Sequence, residues 1–189
     1  MRWRARTVVP FPCAAGRVAR SLSAIRSAAS TLMLRARLVL DDARLAHQHL
    51  DSVLDPPRFR VFWAASCALL RAVGNVLKNV DTKVSEERRA AIEAAWVRWE
   101  TDRREHAIFW EFIKAERDLI LKKYEIRIDM SEHGAVSRDL ISGEATLETL
   151  GPEYYIPLTE GPFAGMDARE LVRDALEWWD EQLAAIEAA

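Results

Sequence analysis

The sequence predicts a mainly all-α protein: a bundle of four to five helices, with an irregular insertion of loops or short strands before the last one. Three observations carry that prediction. Half of the residues are hydrophobic while Gly and Pro number only seven each, and the abundant Ala, Leu, Arg and Glu favour helix over strand. Apolar residues recur at three- and four-residue spacing along most of the chain, the period of an amphipathic helix. Between residues 134 and 166 that period stops and Gly and Pro cluster. At 189 residues the chain can bury one core with a modest appendage. It divides into a basic N-terminal extension, 1–30, and a single helical domain, 31–189, that contains the 134–166 insertion.

The extension is rich in Arg, Ser and Ala and is broken by Pro10 and Pro12. Residues 1–40 hold eight Arg and no Asp or Glu, so the formal net charge of −2 conceals an acidic remainder with 19 basic and 29 acidic residues. An acid-free, Arg-rich opening resembles a transit peptide in composition. A basic arm for an anionic partner and an upstream extension before a start at Met33 are the competing readings. A cytoplasmic location is expected, with targeting as the alternative if 1–30 is a transit peptide.

The first helix spans about Leu32 to Val53 on a stripe that includes Leu34, Leu38, Leu45 and Leu50. His47 and His49, two residues apart, point to nearly opposite faces and cannot share a metal. Asp55-Pro56-Pro57 stops this helix and starts the next, because proline suits a first helical turn. The second helix, about Pro57 to Asn79, carries Phe59, Phe62, Trp63, Ser66, Leu69, Leu70, Val73, Val76, Leu77 and Val80 on its core side. Arg60 and Arg71 fall off that stripe and read as solvated. Gly74 marks either a close helix contact or a weak point.

Ser85-Glu86-Glu87 has the form of a capped helix start, with a hydroxyl at the cap and carboxylates at the positive end of the dipole. The third helix continues through Ile92, Trp96 and Trp99. With no Gly or Pro before Gly134, near-continuity through the charged waist 100–105 is expected, with Asp102 and His106 as a solvated pair. In the insertion, Tyr154-Tyr155-Ile156 is β-prone. Asp167-Ala168-Arg169-Glu170 opens the last helix as a capping box. Its adjacent Trp178 and Trp179 point about 100° apart, which places one in the core and the other over an edge or a partner subunit, with core filling by both as the plainer alternative.

Several function classes fail on these residues. An acidic body disfavours broad nucleic-acid binding, which rests on phosphate neutralisation. No uninterrupted apolar run reaches membrane-spanning length, so no membrane partner is expected. Cys13 and Cys67 sit in unrelated contexts and form neither a disulfide framework nor a zinc spacing. No glycine-rich phosphate loop, H-E-x-x-H or Glu-x-x-His motif occurs, so no metal or cofactor is expected.

The stretch from His106 to Tyr124 is the most informative. Phe109, Phe112, Ile113, Ile120 and Tyr124 recur at helical spacing as a core stripe, and Arg117 lies beside it. An arginine there must snorkel out, pair with a carboxylate or hold an anionic ligand. Arg117-Asp118-Leu119-Ile120-Leu121-Lys122-Lys123-Tyr124 resembles the R-x4-H-x-Y signature of HEPN proteins, with Arg117 and Tyr124 matched and Lys122 in the place of the His.

That resemblance, over about twenty residues, implies a small helical bundle that dimerises, and a setting in defence or toxin–antitoxin systems. It also implies that Arg117 holds a phosphate, that Lys122 occupies the base position and that Tyr124 assists, making Arg117 and Lys122 the anion-binding pair. A lysine near its reference pKa of about 10.4 cannot accept a proton at neutral pH. The expected function is therefore non-catalytic: protein–protein interaction or regulation, through a homodimer or another protein partner. The alternative is a metal-independent endoribonuclease using Arg117 and Tyr124, with RNA as partner. His106 is three turns from Arg117, roughly 16 Å along one helix, and could approach it only across an antiparallel dimer.

Overall fold

The computed structural model describes residues 33–138, 143 and 145–189. The basic extension expected over 1–30, with Cys13, lies outside the described residues. Five α-helices dominate, and the only sheet among the described residues has two strands.

Helix α1 (Arg35–Ser52) has no side-chain cap of its own. Its first amides are satisfied from a distance instead: Arg35 N and Ala36 N donate to the two carboxylate oxygens of Asp81 at 2.8 and 3.0 Å. Asp81 is buried in a single 3-10 turn, Asp81–Lys83, just after α2. The face that α1 buries is Ala36, Leu40, Ala43, Ala46 and Leu50. Leu38 and Leu45, expected on that stripe, are 46% and 55% exposed. The small alanines bring α1 close to α2 (Pro56–Asn79), and these two form the most extensive helix pair of the fold.

Helix α2 starts at Asp55, whose carboxylate accepts from Arg58 N at 3.1 Å, with Pro56 in the first turn where its missing N–H is harmless. It buries Phe59, Trp63, Ser66, Cys67, Leu70, Val73, Gly74 and Leu77, while Phe62, Leu69 and Val76 are half-buried and Val80 is exposed. Gly74 marks a close helix contact. A Cβ there would meet Trp179 Cη2 at 3.0 Å. By length and composition alone Pro56–Lys83 could cross a membrane, and only 39% of its apolar window is buried within this chain.

Ser85 caps α3 (Glu86–Thr101), accepting from Arg88 N at 3.2 Å. The expected continuity past residue 100 is not what forms. The chain breaks at Asp102, whose side chain accepts from Glu105 N at 3.1 Å and closes a tight turn. The Trp110 indole N–H donates to Trp99 O at 2.9 Å, occupying a carbonyl that the helix end leaves free. A π-helical turn, Ile108–Ile113, follows and leads into α4 (Lys114–Lys123). The wider turn lets Phe109, Phe112 and Ile113 all face inward.

The insertion holds β1 (His133–Arg138) and β2 (Ala145–Leu150), antiparallel with His133 opposite Leu150 and Arg138 opposite Ala145. The β-prone Tyr154-Tyr155-Ile156 stays outside both strands, and Ile156 is buried as a core plug. Asp167 caps α5 (Ala168–Glu187) as the sequence predicts, accepting from Arg169 N and Glu170 N. Both tryptophans of α5 are buried, Trp179 completely. They join Trp99 and Phe109 in one aromatic centre, with ring centroids 4.8 to 6.0 Å apart.

Candidate functional site

The residues that match the signature occupy the outer side of α4. Asp118 stands between two cations: Arg117 Nη1 reaches its Oδ1 at 2.8 Å and Lys122 Nζ its Oδ2 at 2.9 Å. Lys122 is one helical turn beyond Asp118, the spacing at which opposite charges meet along a helix. The hydrogen bonds from Lys122 and then Arg117 hold the Asp118 carboxyl below its ordinary value. The Lys122 side chain is 67% exposed and that of Arg117 33%. Arg117 therefore takes the paired option among those its position offered.

Tyr124 does not continue the core stripe. It caps α4 in the left-handed region, φ 52° and ψ 39°, with its N–H donating to Ile120 O at 2.9 Å. That conformation swings the ring out of the helical row, and the residue is 75% exposed. Its hydroxyl has no hydrogen bond among the described residues.

The residue the signature passes over is Glu116, fully buried just before Arg117. Its Oε1 accepts from Arg127 Nε at 3.1 Å and from Arg127 Nη2, while Oε2 has no partner among the described residues. Burial pushes its carboxyl above the ordinary value, and Arg127 offsets part of that push. Burial likewise pushes the nearby Cys67 thiol well up, with the Glu116 charge adding to it. No sequence pattern flags Glu116, because a Glu inside an otherwise apolar face reads as solvated until its partner eleven residues on is seen.

His106 is not the solvated half of a pair with Asp102. It is buried, and its Nδ1 accepts from the Trp178 indole N–H at 3.2 Å. A ring held inside its own core cannot reach a neighbouring protomer's Arg117, so the approach across a dimer is closed. His47 and His49 also have ordinary partners: His47 Nε2 lies 2.9 Å from Arg169 O, and His49 stacks on Phe62 at 5.0 Å. Among the described residues no three His, Cys, Asp or Glu side chains gather into a metal-binding group.

Arg71 departs from its expected solvated position. It is half-buried on α2 with its guanidinium 5.4 Å from the Phe109 centroid. Burial and then the charge of Arg117 push it below its ordinary value, and the charge of Asp118 offsets part of that push.

Comparison with family models, with curated proteins and with solved structures gives no match.

Proposed function

We propose that this chain is a non-catalytic, HEPN-like helical-bundle protein that acts through protein–protein contact or regulation, in the cytoplasm and in the defence or toxin–antitoxin setting that the resemblance suggests. One observation carries the reading: a single carboxylate, Asp118, engages both Arg117 and Lys122. The residue in the base position is a cation held in an ion pair, so it has no lone pair to take a proton from a ribose hydroxyl. The residue in the phosphate position already has its counter-charge.

Assembly as a homodimer is part of the proposal and draws on α1 and α2. Leu38, Leu45 and Val61 expose half or more of their surface, or nearly so, on neighbouring helices. Exposed apolar side chains that lie together on adjacent helices are a surface that associates. His49, Val53, Val61 and Phe62 line a groove of about 570 Å³ on the same pair of helices.

Incubating the purified chain with single-stranded and structured RNA in EDTA, beside Arg117→Ala, tests the reading. No cleavage by the parent is expected. Cleavage by the parent that is lost in Arg117→Ala would overturn it in favour of an endoribonuclease using Arg117 and Tyr124. Sedimentation at micromolar concentration is expected to show a dimer that Leu45→Asp with Val61→Asp dissociates; a parent that sediments only as a monomer would contradict the homodimer.

A further inference from the structure

A second cationic surface lies beside the motif, and its cations rest on aromatic rings rather than on carboxylates. Arg71 stands 5.4 Å from the Phe109 centroid, while Arg103 and Lys114 stand 4.4 and 5.3 Å from that of Trp110. Phe109, itself fully buried, meets the half-buried Trp110 edge to face at 4.9 Å, so Arg71 lies one ring inward of the two cations over Trp110. Lys78 stands over a separate ring, Trp96, at 5.3 Å. Among the described residues none of the four has a carboxylate within salt-bridge distance.

A cation held over a ring keeps its head in place while its outward N–H donors stay available. Arg71 is set deeper, with its Nη1 buried and without a hydrogen-bond partner. A carboxylate arriving at the exposed side chains of Arg103 and Lys114 would form charge-assisted bonds there, with the positive charge of Arg71 behind them. The acid whose charge acts on Arg71, Asp118, is already shared by Arg117 and Lys122.

We propose that the surface around Arg71, Arg103, Trp110 and Lys114 docks a short acidic segment of a partner protein. Its carboxylates take the free donors of Arg103 and Lys114, and its apolar side chains lie against Trp110, which is half-buried. Charge decides between this partner and a nucleic acid. A long polyanion would leave the patch and meet a body whose acidic residues outnumber its basic ones beyond residue 40. A short segment would not.

The inference rests on the interaction reading and names the partner's chemistry. It is tested on the full chain by fluorescence anisotropy with a short labelled peptide of alternating Glu and Leu, and with a single-stranded RNA of equal charge. The peptide is expected to bind the parent, to weaken steeply with salt, and to bind Arg71→Gln with Lys114→Gln at least tenfold more weakly. Arg103→Gln with Lys114→Gln, confined to exposed side chains, is expected to weaken it in the same direction without disturbing the helical circular dichroism. Arg60→Gln with Lys83→Gln, elsewhere on the surface, is expected to change nothing. No binding by the parent, equal binding by the patch variants, or tighter RNA binding lost in those variants would each overturn the proposal. RNA cleavage in EDTA would overturn the functional reading whatever the peptide does, so the two failures are separable.

Discussion

Glu116 and Asp118 stand two positions apart on α4, about 200° around the helix, and the fold treats them in opposite ways. Glu116 is turned inward, fully buried against Arg127, whose side chain is only 15% exposed. Asp118 is turned outward and shared by two solvent-reaching cations. The inner pair fixes architecture: Arg127 belongs to the extended segment after α4, and its carbonyl accepts from Thr159 N at 2.9 Å, so the pair ties α4 to the loop that precedes α5. The outer triad only balances charge. The signature-like residues thus fall on the half of α4 with least structural consequence, while the residue that organises the neighbourhood is the one the signature skips.

Removing the inner carboxylate is the largest expected perturbation. Glu116→Ala would leave the Arg127 guanidinium buried without its partner and cost about 3–5 kcal/mol, read as a lower midpoint in urea unfolding. Replacing both partners, Glu116→Leu with Arg127→Met, is expected to recover most of that loss, because an apolar pair of similar size has no charge to desolvate. Failure of the double variant to recover would mean that the pair supplies more than charge matching.

The two acids also predict opposite responses to pH. Burial raises the Glu116 carboxyl above 4.5, so the proton-linked part of its contribution to stability is fully present below that value and is lost as pH rises through the raised one, while the charge pairing with Arg127 remains above it. Lys122 and Arg117 lower the Asp118 carboxyl below 3.8, so its contribution is present above 3.8 and is lost as pH falls through the lowered value. In thermal unfolding across pH, Glu116→Gln is expected to remove a decline on the rising side, and Asp118→Asn to flatten part of the acid limb.

The smallest effects belong to the outer side. Asp118→Ala is expected to change stability by no more than about 0.5 kcal/mol, the usual range for exposed ion pairs. Tyr124→Gly is expected to raise it by about 0.5–1 kcal/mol, since glycine adopts the left-handed cap without a Cβ penalty and the exposed ring is not hydrogen-bonded.

Much of the architecture was legible in the sequence, because helical periodicity, Asp55-Pro56, Ser85 and Asp167 are local signals that act within one turn of chain. What was not legible depended on residues far apart. The capping of α1 by Asp81 spans 45 residues, and the inward turn of Glu116 depends on Arg127. The break at Asp102 needed no Gly or Pro, because an Asp side chain and the Trp110 indole satisfy the exposed backbone groups there. Leu38, Leu45 and Tyr124 misled for a related reason: spacing alone does not show that the alanine face of α1 is the one that packs, nor that a helix ends in a left-handed residue. At the candidate site the sequence placed Arg117 and Lys122 on one helix, but not the way Asp118 holds both.

Double-mutant cycles on Glu116–Arg127 and on Asp118–Lys122, by urea unfolding at neutral pH, test the contrast most directly. A coupling of several kcal/mol for the inner pair and a few tenths for the outer one is the predicted result. Equal couplings, or a larger one for Asp118–Lys122, would contradict the assignment of the motif to the surface and of its neighbour to the scaffold.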